Sequence, residues 1–323
     1  MDLLEPWMLH ADWREEARPF LGLDFASWPT GLALDPLPPV PLIGIGPADH
    51  MLAAQVDLVE DADVPLARAI EAIERTPRTA GALIDLLRAT QDMPPERALT
   101  AESFAYAMLQ GGAEHRTWRA AQTGEAPCPP GTVDLTRDDA TLDILLNRPA
   151  TRNAIDRQMR DDLFDAFSLA AADDSIARVT LRGAGRCFSV GADLAEFGTT
   201  TDPAEAHAIR ARTLPARALL RCADRVEAYV QGACVGSGLE LAAFAGRLTA
   251  APDAWFRLPE VSMGILPGAG GCVSIPRRIG RQRAALLMLS GKRINARTAL
   301  RWGLIDAIMD DPPGDHRQPD MIG

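Results

Sequence analysis

Apolar positions fall into two regimes along the chain. From residue 65 they recur at helical spacing, with Leu66, Ile70 and Ile73 at i, i+4 and i+7, then Leu83 and Leu87, then Phe104 and Met108. This predicts about three helices, split by Pro77 and by Pro94-Pro95. The first 64 residues are rich in proline, and only PVPLIGIG reads there as a short buried strand. RAAQTGEAPCPPGTV (119–133) packs glycine and proline too densely for regular structure and reads as a linker. Beyond it, strand and helix periods alternate. TLDILLNRP (141–149) is a strand ended by Pro149, and Asn153 caps a helix over about 154–171 with the stripe Leu163, Phe167 and Ala170. IARVTLRG (176–183) is a second strand, VEAYVQGACVG (226–236) a third, and RLTAAPDAWFRLP (247–259) a pair of short ones. Such alternation implies an α/β layer architecture. The expected division is a mainly helical domain over 1–118, the linker 119–133, an α/β core over 134–309 and a flexible tail over 310–323.

Composition narrows the class. The 323 residues are 47% hydrophobic and 24% charged, enough to bury a sizeable core. A net charge of −11 argues against a nucleic-acid partner, which needs a basic surface. No apolar run reaches the ~18–20 residues of a membrane span. The acidic start MDLLEPWMLHADWREE lacks the basic stretch and apolar run of a signal peptide, so the expected location is the cytoplasm. Cys128, Cys187, Cys222, Cys234 and Cys272 are scattered and read as small buried hydrophobes in a reducing compartment, neither a disulfide framework nor a zinc site. His10, His50, His115, His207 and His316 show no metal-ligand spacing. Ser189 lacks the setting of a hydrolase nucleophile.

Two glycine-rich turns each follow a strand and are expected to open a helix: Phe188 to Leu194, and Gly236 to Leu241. Free N–H groups at such turns can hold a developing oxyanion, and small residues let an acyl group approach the backbone. Glu240 lies three residues after Ser237, on the same helical face. Glu260 follows Pro259 at a strand end. Both glutamates sit in apolar runs, LELAAFAG and WFRLPEVSMGILPG, where an unpaired charge is costly unless it is used.

The segment from about 133 to 309 resembles the crotonase superfamily of enoyl-CoA hydratases and isomerases. The motifs that carry the resemblance run in order: LNRPATRNAI (146–155), GRCFSVGADLAEF (185–197), VQGACVGSGLELA (230–242), WFRLPEVSMGILPGAGG (255–271) and GKRINARTALRWGLID (291–306). The resemblance implies a spiral of repeated β-β-α units, here with an additional helical N-terminal domain. It also implies an oxyanion hole from the N–H groups of Ala192 and Ser237, and acid/base roles for Glu240 and Glu260. Ala150, Thr151, Arg152, Asn153, Asp193 and Leu194 fall where the family lines its CoA and acyl channel, and Gly268 where a backbone N–H approaches the reacting water. The implied reaction is hydration of a trans-2-enoyl-CoA to a 3-hydroxyacyl-CoA, with Glu240 activating water and Glu260 protonating Cα. The alternatives are double-bond isomerisation and a catalytically lapsed acyl-CoA-binding or scaffold protein. CoA enters as part of the substrate; no metal or other cofactor is required, and a trimer or hexamer is expected.

Three departures from the family shape further expectations. Ser237 stands where glycine is usual. The family's C-terminal helices are missing after the GLID-like turn, while Val64 to Gln122 resembles them; either they have moved ahead of the core, as in a circular permutation, or this is an unrelated helical domain. For the CoA phosphates the candidate cations are Arg148, Arg152, Arg277, Arg278, Arg281 and Arg283, with Arg152 preferred. The polar segment Gly198 to Arg212 is a candidate mobile lid over the acyl pocket.

Overall fold

A computed structural model describes residues 1–10, 18–122 and 128–312. The sheet that organises the molecule begins with a hairpin, β3 (Thr132–Asp138) against β4 (Thr141–Asn147), preceded by β1 (Leu21–Asp24) and β2 (Leu42–Ile45) nearer the N-terminus. In β4 the alternation is regular: Leu142, Ile144 and Leu146 are buried, against the helix α5 (Arg157–Ala172). That helix turns Met159, Leu163, Phe167 and Ala170 inward, as its stripe predicts. Its cap differs from expectation. Asp156, three residues past Asn153, accepts the Met159 N–H, whereas Asn153 is left-handed (φ 55°) and bonds the Arg148 N–H and the carbonyls of Ala184, Cys187 and Phe188. Its amide ties the 149–153 loop to the neighbouring strand connection and is spent there.

Next come β5 (Arg178–Gly183), β6 (Val226–Val230) and β7 (Ala233–Val235), so the stretch read as one strand over 226–236 is two. Gly232 breaks it: it has φ +55°, and a Cβ there would lie 2.2 Å from the Arg186 carbonyl oxygen. The bend sends β6 and β7 into different sheets. With β8 (Arg247–Ala250), β9 (Trp255–Arg257), β10 (Ile294–Asn295) and β11 (Ala307–Ile308), the sheets are a six-stranded one in the order β11-β8-β6-β5-β4-β3 and a three-stranded one in the order β10-β9-β7. The larger is parallel except at the β3–β4 hairpin.

Four helices precede the sheets: α1 (Leu66–Arg75), α2 (Pro77–Ala89), α3 (Pro95–Gln110) and α4 (Ala113–Ala120). Pro77 and Pro95 begin helices, where a missing N–H costs nothing. Among the described residues α-helix starts only at Leu66; ahead of it lie a short 3-10 turn and the parallel pair β1–β2, whose second strand falls in PVPLIGIG, so the mainly helical part of the domain expected over 1–118 begins at residue 66. In α3 the exposed apolar residues are Phe104 and Met108, while Ala98, Leu99, Glu102, Ser103, Ala107 and Leu109 are buried. The apolar pair marked the outer face because two polar side chains, Glu102 and Ser103, turn inward.

The remaining helices are α6 (Pro203–Thr213), α7 (Pro215–Leu219), α8 (Ser237–Ala242), α9 (Gly271–Ile279), α10 (Arg281–Ser290) and α11 (Ala296–Trp302). Helix α1 packs on α10, α2 on α9 and α10, and α3 on α6 and α9. Residues of α1–α3 and of the two sheets therefore belong to one apolar cluster, while Leu4 to Val56 build a second. Asp57 joins the two. Fully buried, it accepts hydrogen bonds from the Leu42 N–H (2.8 Å), Arg88 Nε (2.9 Å) and Arg281 Nη1 (2.6 Å).

Candidate active site

The two glycine-rich turns lie side by side. Ser189 forms a parallel bridge to the strand β7, donating its N–H to Ala233 O and accepting the Val235 N–H, both at 3.0 Å. This brings Gly191 (φ +98°) against Gly236 (φ +50°), and a Cβ on either would come within about 3.6 Å of the other's Cα. Only glycine allows both the close approach and the backbone conformation. Ile155 fixes the first turn by donating to Gly191 O (2.8 Å) and accepting from the Asp193 N–H (2.9 Å). The first turn leads into a 3-10 turn at Leu194–Glu196, not an α-helix; the second opens α8 with Ser237 as its first residue. Among the described residues neither the Ala192 nor the Ser237 N–H has an acceptor, and both residues line one cavity of about 590 Å³.

Glu240 and Glu260 line the same cavity and are buried. Glu240 Oε2 accepts the N–H groups of Ala269 (2.6 Å) and Gly271 (2.8 Å). Burial raises the Glu240 carboxyl to about 7 against the pull of those two N–H groups. Glu260 Oε2 has no partner. Burial first, and the nearby Glu240 charge second, push Glu260 well above the usual carboxylate range. A third buried carboxylate was not foreseen. Glu102, from α3, accepts the Gly270 N–H (2.8 Å) and the Cys272 N–H (2.9 Å), so the turn entering α9 is held alternately by Glu240 and Glu102. Burial and the Glu240 charge raise Glu102 as well.

Helix α3 supplies more than Glu102. Tyr106 and Gln110 line the cavity, and the Tyr106 ring rests on Gly268, where a Cβ would lie 2.1 Å from Cδ2. Burial pushes the Tyr106 hydroxyl up to about 12. Glu102, Tyr106 and Gln110 recur at i, i+4 and i+8, so a polar stripe at helical spacing was present in the sequence and marks the face turned to the site. Buried polar atoms without partners also gather here: Ser237 Oγ, Glu260 Oε2 and Gln110 Oε1 all belong to cavity-lining residues.

Of the other expected site residues, Ala150, Thr151, Arg152, Asp193, Leu194 and Gly268 line the cavity, but Asn153 does not. Its side chain is fully engaged with backbone, as described above. Asp193 is split between lining the cavity and pairing with buried Arg148 at 2.6 Å. Arg148 is thereby a structural cation, bonded also to Pro129 O and Ala154 O. Arg277, Arg278, Arg281 and Arg283 lie outside this cavity, while exposed Arg152 lines it. The segment read as a mobile lid is, from Pro203, the helix α6, capped by Asp202 and packed on α3. Cys222, Cys234 and Cys272 are buried as expected, but Cys128 is exposed. His115 bonds Met263 O (2.8 Å), and no cluster of metal-ligating side chains occurs among the described residues. No helix is long and apolar enough to cross a membrane among those residues. The stretches 123–127, within the expected linker, and 313–323, most of the expected tail, lie outside them.

Two abutting glycine turns, whose Ala192 and Ser237 amides are free among the described residues, are thus faced in one cavity by two buried glutamates. The family model for enoyl-CoA hydratase/isomerase matches residues 136–313, and the chain belongs to that family. A 2,3-dehydroadipyl-CoA hydratase of Escherichia coli (strain K12) is 34% identical over 175 residues, 54% of this chain and 68% of that protein. A mevalonyl-coenzyme A hydratase of Beauveria bassiana is 33% identical over 178 residues, 53% of this chain and 64% of that protein. Among solved structures, an enoyl-CoA hydratase from Thermoplasma volcanium is 39% identical with a TM-score of 0.50, covering 55% of this chain and 72% of that one. An enoyl-CoA hydratase/carnithine racemase from Magnetospirillum magneticum is 32% identical with a TM-score of 0.51, covering 55% and 68%.

Proposed function

We propose that the protein hydrates a trans-2-enoyl-CoA thioester to the 3-hydroxyacyl-CoA. The observation that carries this is the pairing, in one cavity, of two free amides with two carboxyls whose environments differ. The thioester oxygen accepts the Ala192 and Ser237 N–H groups, each donor contributing about 3 kcal/mol to the enolate. Glu240, anchored through Oε2 and titrating near neutrality, takes a proton from water as its oxygen bonds to Cβ. The π pair of the double bond moves onto the thioester as an enolate. Glu260, whose burial favours the protonated carboxyl, delivers that proton to Cα. No metal or further cofactor enters this scheme. The helices of 66–120 complete the same site, because α3 provides Glu102 and Tyr106 while α4 packs on the turn that carries Glu260. This supports reading them as the family's helical layer placed ahead of the core.

The test is turnover of enoyl-CoA esters in ¹⁸O-labelled water with the intact protein, Glu240→Gln and Glu260→Gln. Label in a 3-hydroxyacyl product, lost in both variants, supports hydration. An unlabelled enoyl product with a shifted double bond replaces it with isomerisation, and tight acyl-CoA binding without turnover replaces it with a binding role.

A further inference from the structure

Arg210, in the last turn of α6, lines the substrate cavity; its hydrogen-bond partners are neutral, and the Glu102 carboxylate acts on it only beyond ion-pair distance. Its Nε donates to Ser103 Oγ (3.0 Å) and its Nη2 to Ser103 O (3.2 Å). Ser103 Oγ in turn meets His207 Nδ1 at 2.9 Å, and the guanidinium carbon lies 4.5 Å from the centroid of the Tyr106 ring. Three neighbours thus fix the plane of the guanidinium. Nη1 makes no hydrogen bond, and among the described residues no carboxylate lies within ion-pair distance of Arg210. Other cavity arginines are placed differently: Arg160 pairs with Asp161, and Arg152 and Arg157 are exposed to water; Arg148, behind the cavity wall, is neutralised by Asp193. A guanidinium stays charged at every working pH, and a part-buried one without a direct ion pair keeps part of its desolvation cost until an anion arrives.

We propose that the open Nη1 edge of Arg210 is the receptor for an anionic group at the far end of the acyl chain, so that the substrate is the CoA ester of an unsaturated dicarboxylic acid. The order of groups along the wall supports the far end as its source. The turn holding Glu240 runs back through Ala269 to Gly268, the Tyr106 ring covers Gly268, and Arg210 covers Tyr106. The cation therefore stands one aromatic ring away from the turn that Glu240 holds. A CoA phosphate is the other anion available.

The proposal rests on the acyl-CoA reading for its placement of the acyl group. Its test compares 2,3-didehydroadipyl-CoA with hex-2-enoyl-CoA, and glutaconyl-CoA with pent-2-enoyl-CoA, in the intact protein and in Arg210→Met. One charge-assisted hydrogen bond is worth about tenfold to a hundredfold. The expected result is a kcat/KM at least about tenfold higher for one or both diacid esters than for the methyl-ended partner, a ratio that collapses in Arg210→Met. Equal activity on both ester types in the intact protein overturns the proposal while leaving hydration standing. An equal loss on both types in Arg210→Met assigns Arg210 to the CoA phosphates or to folding and also overturns it. Where no ester is turned over, the hydratase reading fails separately, and calorimetric binding of adipyl-CoA against hexanoyl-CoA reads the subsite directly: tighter adipyl-CoA binding lost in Arg210→Met supports it, and equal affinities refute it.

Discussion

Glu240 and Glu102 grip one turn from two sides, Glu240 through the amides of Ala269 and Gly271 and Glu102 through those of Gly270 and Cys272. One carboxylate comes from the glycine-rich turn and the other from a helix more than a hundred residues earlier in the chain. The Glu240 charge raises Glu102, whereas Glu240 itself is raised by burial and pulled back by the Ala269 and Gly271 amides, so Glu102 acts on Glu240 by holding the turn that carries those amides. Glu102→Gln is therefore expected to loosen the Ala269 and Gly271 bonds to Glu240 and to shift the acid limb of the kcat/KM profile to higher pH. It should also destabilise the fold by about 1–3 kcal/mol, since an amide cannot accept two N–H bonds on two oxygens. A variant that loses stability but keeps the acid limb in place would make Glu102 a purely structural group.

Glu260 presents the opposite trade. Its folded pKa lies above its unfolded one, so its contribution to stability is fully present below about 4.5 and is lost as pH rises through the raised folded value. Glu260→Gln is expected to raise Tm at about pH 8 by a few degrees and to change it little at about pH 5, while abolishing hydration. Calorimetric scans at the two pH values check this.

Ser237 is the first residue of α8, a position that tolerates proline. Ser237→Pro removes only the amide proposed for the oxyanion and is expected to lower kcat by about 10²–10³ with the far-ultraviolet spectrum unchanged. Ser237→Ala removes a buried hydroxyl that has no partner, and is expected to keep kcat/KM within about threefold. Steady-state kinetics on both variants separate the amide from the side chain.

Asp57 holds two arginines on the seam between the N-terminal cluster and the rest of the molecule. Asp57→Ala leaves Arg88 and Arg281 uncompensated and is expected to cost about 3–5 kcal/mol in urea unfolding. Limited proteolysis should then cut within residues 1–56 faster than in the unaltered protein.

Local chemistry was legible in the sequence wherever a side chain's role depends on its near neighbours. The β4 alternation, the α5 stripe, the glycines at 191 and 236 and the glutamates at 240 and 260 all declare themselves by period, by backbone need or by a charge set in an apolar run. Where tertiary contacts compete for the same group, local reasoning fails. Asn153 looks like a helix cap, yet four backbone partners distant in the fold outbid the helix for its amide. Phe104 and Met108 look like a core stripe, yet α3 turns its polar face inward because the N–H groups of the α9 turn need an acceptor there. The sequence by itself determined the α/β periodicity and the two turns and two carboxylates of the core. Only the tertiary structure decided that α3 and α6 form the other wall, bringing Tyr106 and Arg210 to the cavity and Glu102 to the turn beside it, because side chains separated by a hundred or more residues meet through packing that no local pattern encodes.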